Sequence, residues 1–289
     1  MPSLKIGYSP CPNDTFIFAH LDETMDPDLG FEPLLADVEA LNGWALEGKL
    51  PVTKISFFAL GGVLDRYGLL RAGSALGRGC GPILVGRKGA SLEGLESGLI
   101  AAPGQWTTAR LLMGLYLKVP PRFSHMVFSE VMPAVARGLA DYGLVIHEGR
   151  FTYKQYGLEM LLDLGSWWES ETGLPLPLGG IAIRRDLGAR TAERVDRAIC
   201  DSLKKSLEGS PGTMDYVLRH SQEMSKDVVR RHIDLYVNRF SLDLGEEGIL
   251  PRWLTPREGP HNQRPADTAS KIVADTRLLI RKKARSRRD

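Results

Sequence analysis

The feature that most constrains the fold is an alternation. Short apolar runs, each closed by a polar turn-forming stretch, give way to segments with helical spacing. Leu4–Ser9 ends in SPCPNDT and is followed by the apolar FIFAHL. Lys54–Leu60 (KISFFAL) reads as a second strand bounded by Gly61 and Gly62, and Pro82–Gly86 as a third. Leu99–Ala102 runs into PGQWTTA and a helix with one buried face, TTARLLMGLYL. Met132–Leu139 is helical in pattern, Tyr142–Ile146 strand-like, and Ile181–Ile183 a glycine-flanked strand. From Thr191 onward the spacing is helical. Strands alternating with helices predict a parallel sheet built from βαβ units. Such sheets take ligands just beyond the carboxyl ends of their strands.

A chain of 289 residues is long enough for two lobes, each with its own core. No internal repeat of 20–50 residues is visible. No apolar run approaches the roughly 18 residues that cross a bilayer, and the first fifteen residues lack the layout of a signal peptide. Cys11, Cys80 and Cys200 are odd in number and far apart, which suits free thiols in a reducing compartment. The expectation is a soluble, cytoplasmic protein. Its net charge of +2 comes from the end of the chain: the last nine residues, RKKARSRRD, carry a net +5, so the remainder is −3. That tail reads as a solvated end, and neither a nucleic-acid nor a membrane partner is expected.

Four polar loops follow apolar strands: SPCPNDT, KIS, PGQWTTA and IHEGR. In the first, Asn13, Asp14 and Thr15 have the side chains of helix N-caps, and Asn13 also has an amide to offer a ligand. In the second, Lys54 and Ser56 share a strand face, as an anion-holding pair or as a surface charge and a small core residue. In the third, Thr107, Thr108 and Ala109 open a helix, where free amides and the positive dipole end suit a carboxylate or phosphate. A threonine cap without a ligand fits the same pattern. No G-x-x-x-x-G-K-[ST] or G-x-G-x-x-G motif is present, which argues against a nucleotide cofactor.

Of the six histidines, His20, His220 and His232 fall in helical patterns and read as structural. None of the six forms H-x-H or H-E-x-x-H, so no metal site is expected. His147 stands apart at the end of YGLVI, where a sheet places its ligand. Imidazole titrates near neutrality and serves readily as a general base. No G-x-S-x-G elbow supports a serine hydrolase.

GYSPCPNDTFIFAHL, PGQWTTA, DYGLVIHEGRFTY, LPLGGIAIRRDL and the HSQEM…HIDLYVNRFSLDLGEEG block, in order from about Ile6 to Ile249, resemble the 1,4-dihydroxy-6-naphthoate synthases of the futalosine route to menaquinone. The resemblance implies a type II periplasmic-binding-protein-like fold, with two α/β lobes and a cleft between them. Residues 1–84 and 182–289 would form a discontinuous first lobe, with a basic C-terminal extension from about 251, and residues 85–181 the second. The crossings would fall near Pro82 and Gly180.

It further implies a carbon–carbon lyase that converts cyclic dehypoxanthine futalosine to 1,4-dihydroxy-6-naphthoate without a cofactor. His147 would be the base, and Lys54, Ile55, Ser56, Thr108 and Ala109 would contact substrate, joined on the residue reading by Thr107 and Asn13. Two alternatives share this fold: a cytoplasmic small-anion binding protein, and the chorismate dehydratase of the same pathway.

Overall fold

The computed structural model describes residues 3–117, 119–221 and 225–245. The basic tail and the extension from about residue 251 lie outside them, as do residues 222–224 of the HSQEM segment.

In chain order, β1 (Leu4–Tyr8) leads into α1 (Pro12–Phe18) and the single turn α2 (Leu21–Thr24), and β2 (Phe31–Leu35) into α3 (Val38–Leu46). β3 (Val52–Ser56) turns directly into α4 (Phe57–Leu60), followed by β4 (Tyr67–Leu69) and β5 (Ala75–Gly77). The next stretch holds β6 (Ile83–Arg87), β7 (Leu99–Ala102), α5 (Thr108–Tyr116), β8 (Arg122–His125) and α6 (Phe128–Ala136). It continues through β9 (Tyr142–Val145), α7 (Gly149–Thr152), β10 (Leu158–Asp163) and α8 (Leu164–Thr172). β11 (Leu176–Arg184) is followed by α9 (Gly188–Leu207), α10 (Thr213–His220), α11 (Lys226–Tyr236) and α12 (Arg239–Leu242).

The strands form two sheets. The first has the order β2-β1-β3-β11-β4, with β5 also pairing with β11, and the second β8-β7-β9-β6-β10. The sheets are built on one plan. In each, the opening parallel strands are followed by an antiparallel strand that arrives from the other sheet: β11 beside β3 in the first, β6 beside β9 in the second. The all-parallel expectation is therefore corrected to mixed sheets, because a crossing strand enters its new sheet running the opposite way. The plan repeats without any sequence repeat, so it was invisible to a search by period.

The second strand read from the sequence is also shorter than expected. β3 stops at Ser56, which begins α4, and the apolar run continues because all four residues of that helical turn are buried. Strand spacing and a buried helical turn are both satisfied by FFAL, so the run alone does not separate them.

The C-terminal helices cover the first sheet. α9 buries Val195, Ala198, Ile199, Ser202, Leu203 and Ser206, a single helical face. These pack with Ile6, Ile17, Leu21 and Ile181. Two serines on that face reach back to α1, where Ser202 Oγ donates to the Ile17 carbonyl at 2.8 Å and Ser206 Oγ to that of Phe16 at 2.7 Å. α1 is thereby pinned at its carboxyl end while its amino end projects past β1. A second apolar cluster joins the two sheets, with Ile55, Phe58 and Leu60 meeting Ile100, Leu112 and Trp168. No helix among the described residues is long and apolar enough to cross a membrane.

Candidate active site

A cleft of about 660 Å³, counted to its open mouth, lies where the two sheets meet. All eight residues singled out from the sequence line it: Asn13, Lys54, Ile55, Ser56, Thr107, Thr108, Ala109 and His147. The shared plan explains why they converge. The ends of β1 and β7 each deliver a helix amino terminus, and the ends of β3 and β9 deliver Ser56 and His147.

The floor is polar and almost fully self-satisfied. Lys54 and Asp14, 5% and 2% exposed, form an ion pair with Nζ 2.6 Å from Oδ1. Lys54 Nζ also donates to the Gly73 carbonyl at 3.2 Å. The Asp14 carboxylate accepts further bonds from Ser9 Oγ at 2.7 Å and from Asn13 Nδ2 at 2.9 Å. Two expectations change here. Lys54 is neither a surface charge nor a free anion-holding cation, because Asp14 neutralises it. Asn13, Asp14 and Thr15 do not cap α1, which starts at Pro12 after Cys11. Burial, followed by the charges of Glu148 and Asp14, pushes the Cys11 thiol well up, away from a reactive thiolate.

Ser56 is held from α3. Asn42 Oδ1 accepts from its backbone N–H at 2.8 Å, and Asn42 Nδ2 donates to its Oγ at 3.0 Å, leaving the hydroxyl proton for another acceptor. On the opposite wall, Thr107 caps α5 by accepting from the Arg110 N–H at 3.4 Å, while Thr108 Oγ1 crosses to β11 and donates to the Leu178 carbonyl at 2.8 Å. The next amides along α5, those of Thr108 and Ala109, sit in its first turn against the cleft. They supply the anion-favouring end of the helix dipole.

Glu39, on α3, bridges the two walls just outside these groups. Its Oε1 accepts from the Gln105 N–H at 2.5 Å and from the Trp106 N–H at 3.1 Å. The approach requires glycine at position 104, where φ is +117° and an added Cβ would lie 2.4 Å from the Glu39 carboxylate. Burial pushes the Glu39 carboxyl up, against the opposing pull of those amides and of Asn42.

His147 has a φ of 54°, and among the described residues no other non-glycine has a positive φ. Holding an imidazole-bearing residue in the left-handed region costs energy. Its Nε2 is buried with no hydrogen-bond partner among the described residues. Phe128 meets the ring edge-on at a centroid distance of 5.1 Å. The neighbouring Glu148 also leaves an oxygen, Oε2, buried without a hydrogen bond.

The sequence reading missed His232 and Tyr236. Both lie on α11 and line the cleft. The helical setting of His232 is as expected, and its ring lies against that of His147 in the cleft. The missed signal was the spacing itself: His232 and Tyr236 are four residues apart, on one face of a helix whose other buried positions are apolar. Among the described residues, no group of three or more His, Cys, Asp or Glu side chains is arranged to hold a metal ion.

A family model for menaquinone biosynthesis matches residues 4–250. The chain belongs to that family. Within it, the chain is 49% identical over 251 residues to the 1,4-dihydroxy-6-naphthoate synthase of Thermus thermophilus, covering 86% of this chain and 90% of the relative. It is 44% identical over 272 residues to the enzyme of the same name from Streptomyces coelicolor, covering 91% and 95%. The resemblance read from the sequence motifs is borne out by this family membership. Among solved structures, protein AF1704 of Archaeoglobus fulgidus superposes with a TM-score of 0.79 at 31% identity, over 98% of each chain. A Candida albicans protein with the generic periplasmic-binding-protein fold gives 0.61 at 13% identity, over 97% of this chain and 90% of its own. The family fold is thus type II periplasmic-binding-protein-like, as expected.

Proposed function

We propose that this chain is a 1,4-dihydroxy-6-naphthoate synthase. In this reading it is a cytoplasmic carbon–carbon lyase that takes cyclic dehypoxanthine futalosine and releases the dihydroxynaphthoate, with His147 as general base. The observation that carries the reading is the setting of His147. It is an imidazole in strained backbone, with a buried unpaired nitrogen, in the cleft that also holds the first-turn amides of α5.

Cleavage between the sugar-derived portion and the forming aromatic ring needs a proton removed and negative charge held in transit. His147 takes the proton. The Thr108 and Ala109 amides and the Ser56 hydroxyl hold the developing oxyanion or carboxylate charge. Lys54 contributes through Asp14 and the ordering of Asn13 rather than as a free cation. Aromatisation supplies much of the driving force, so no cofactor is called for. The two sheets with their helices act as lobes over the substrate, and Glu39 and Thr108 bridge them.

The deciding experiment incubates the purified chain separately with cyclic dehypoxanthine futalosine and with chorismate, and identifies products by mass spectrometry. Release of dihydroxynaphthoate from the first supports the proposal. Turnover of chorismate alone would assign the chain to the dehydratase, and stoichiometric binding without turnover to a small-anion binding protein.

A further inference from the structure

His232 is fully buried, yet half of its hydrogen-bonding capacity is unused. Its Nε2 lies 2.9 Å from Asn13 Oδ1, and its Nδ1 is buried with no partner among the described residues. The bond network fixes which nitrogen carries the proton. The Asp14 carboxylate is paired with Lys54 and accepts from Asn13 Nδ2. A carboxylate in an ion pair accepts only, so the Asn13 amide cannot be turned around without setting two acceptors against each other. Its Oδ1 must therefore face His232, and Nε2 must be the donor. In the neutral ring this leaves Nδ1 as a bare lone pair. Burial, followed by the proximity of His147, holds the proton affinity of His232 well below the ordinary range and keeps that lone pair free.

We propose that His232 Nδ1 is a fixed hydrogen-bond acceptor of the cleft, oriented by the Lys54–Asp14–Asn13 chain, that receives a hydroxyl group of the substrate beside the proton-accepting His147. The proposal rests on the functional reading above and deepens it. The α5 amides only donate, and Ser56 Oγ already accepts from Asn42 Nδ2 and has its proton to give, so these groups favour oxygen acceptors on a ligand and the amides take no proton from its hydroxyls. An aligned, unprotonated imidazole nitrogen supplies the complementary selection. A buried polar atom left unpaired without ligand is costly, and a site built this way rejects analogues that lack the matching hydroxyl.

The test uses the full chain with histidine labelled with nitrogen-15, and His232→Gln to assign its signals. The ligand-free protein should show His232 with Nε2 protonated, Nδ1 bare and no titration from pH 6 to 8. Saturation with cyclic dehypoxanthine futalosine should shift the Nδ1 resonance. A protonated Nδ1, an imidazolium in that range, or an Nδ1 signal unmoved by substrate overturns the proposal. His232→Gln keeps a donor to Asn13 but moves the acceptor away from the Nδ1 position, so KM should rise about tenfold with kcat changed much less. His232→Asn places an oxygen near the Nδ1 position, and its KM should lie closer to the parent value. Equal damage to kcat and KM in both variants indicates a structural role and overturns the proposal. Absence of turnover by the parent chain overturns the functional reading and with it the hydroxyl partner, while the ligand-free spectrum judges the tautomer in either case.

Discussion

The imidazoles of His147 and His232 face each other across the cleft with ring centroids 6.3 Å apart and planes inclined by 22°. One ring comes from the end of β9 in the second sheet, and the other from α11, which packs on α1 and β5 of the first. Two like groups this close do not both carry charge in a buried site. Burial, followed by the proximity of His147, accordingly lowers the proton affinity of His232.

His147→Gln should lower kcat by about 100- to 10,000-fold, the usual contribution of a general base, without loss of the folded state. His147→Gly should be more stable than His147→Ala by about 1 kcal/mol, because glycine adopts positive φ without strain. Steady-state kinetics and urea titrations measure the two effects separately. Equal stability of the Gly and Ala variants would contradict the strain argument.

His232 gives stability a pH dependence of known sign. Its folded-state pKa is depressed, so between that value and about 6.5 the unfolded chain binds the extra proton. Its contribution is therefore present above about pH 6.5 and is lost as pH falls, by about 1.4 kcal/mol for each unit below that point until the folded-state pKa is reached. Thermal melts from pH 8 to pH 5 should show a steeper acid loss for the parent than for His232→Gln. His125 and His220, which are depressed less and are partly exposed, remain in both proteins and cancel in the comparison.

Lys54→Met strands the Asp14 carboxylate in the core and should cost about 3–5 kcal/mol. Adding Asp14→Asn removes the stranded charge and should recover part of that loss, so the double variant should lose less stability than the sum of the two single variants. Additive losses measured by urea unfolding would mean that the pair is not coupled as the geometry shows.

Glu39 ties the walls together at an energetic disadvantage, since burial disfavours its charge. Glu39→Gln keeps an acceptor for the Gln105 and Trp106 amides, and should melt at or above the parent temperature at pH 7.5. The difference should shrink toward pH 4, where the parent carboxyl is neutral as well: a raised carboxyl pKa means a contribution present at low pH and lost as pH rises. Glu39→Ala loses the bridge, and its KM should rise on the order of tenfold.

The sequence exposed those parts of the site that sit where chain pattern changes abruptly. Asn13, Ser56, Thr107 and His147 each follow an apolar strand, and the polar residue stands out against it. His232 was hidden because a helix with one buried face accepts a polar residue there with no change in period. β8, Arg122–His125, and β10, Leu158–Asp163, were missed because both are edge strands with partly exposed faces, which lack the apolar run of a central strand. The Lys54–Asp14 pair was illegible for another reason: neighbouring β1 and β3 bring the two together, and no local pattern records sheet order.

The position of β11 has a consequence for biosynthesis. It lies between β3 and β4 in the first sheet, yet it is synthesised only after every strand of the second sheet. The first 77 residues therefore leave the ribosome with a gap in their sheet, and β3 presents an unpaired edge until residue 176 arrives. The second sheet, whose strands all lie between residues 83 and 163, can close without waiting. Vectorial synthesis thus favours the second half as the first to consolidate, leaving the nascent amino-terminal segment dependent on delayed pairing or on a chaperone.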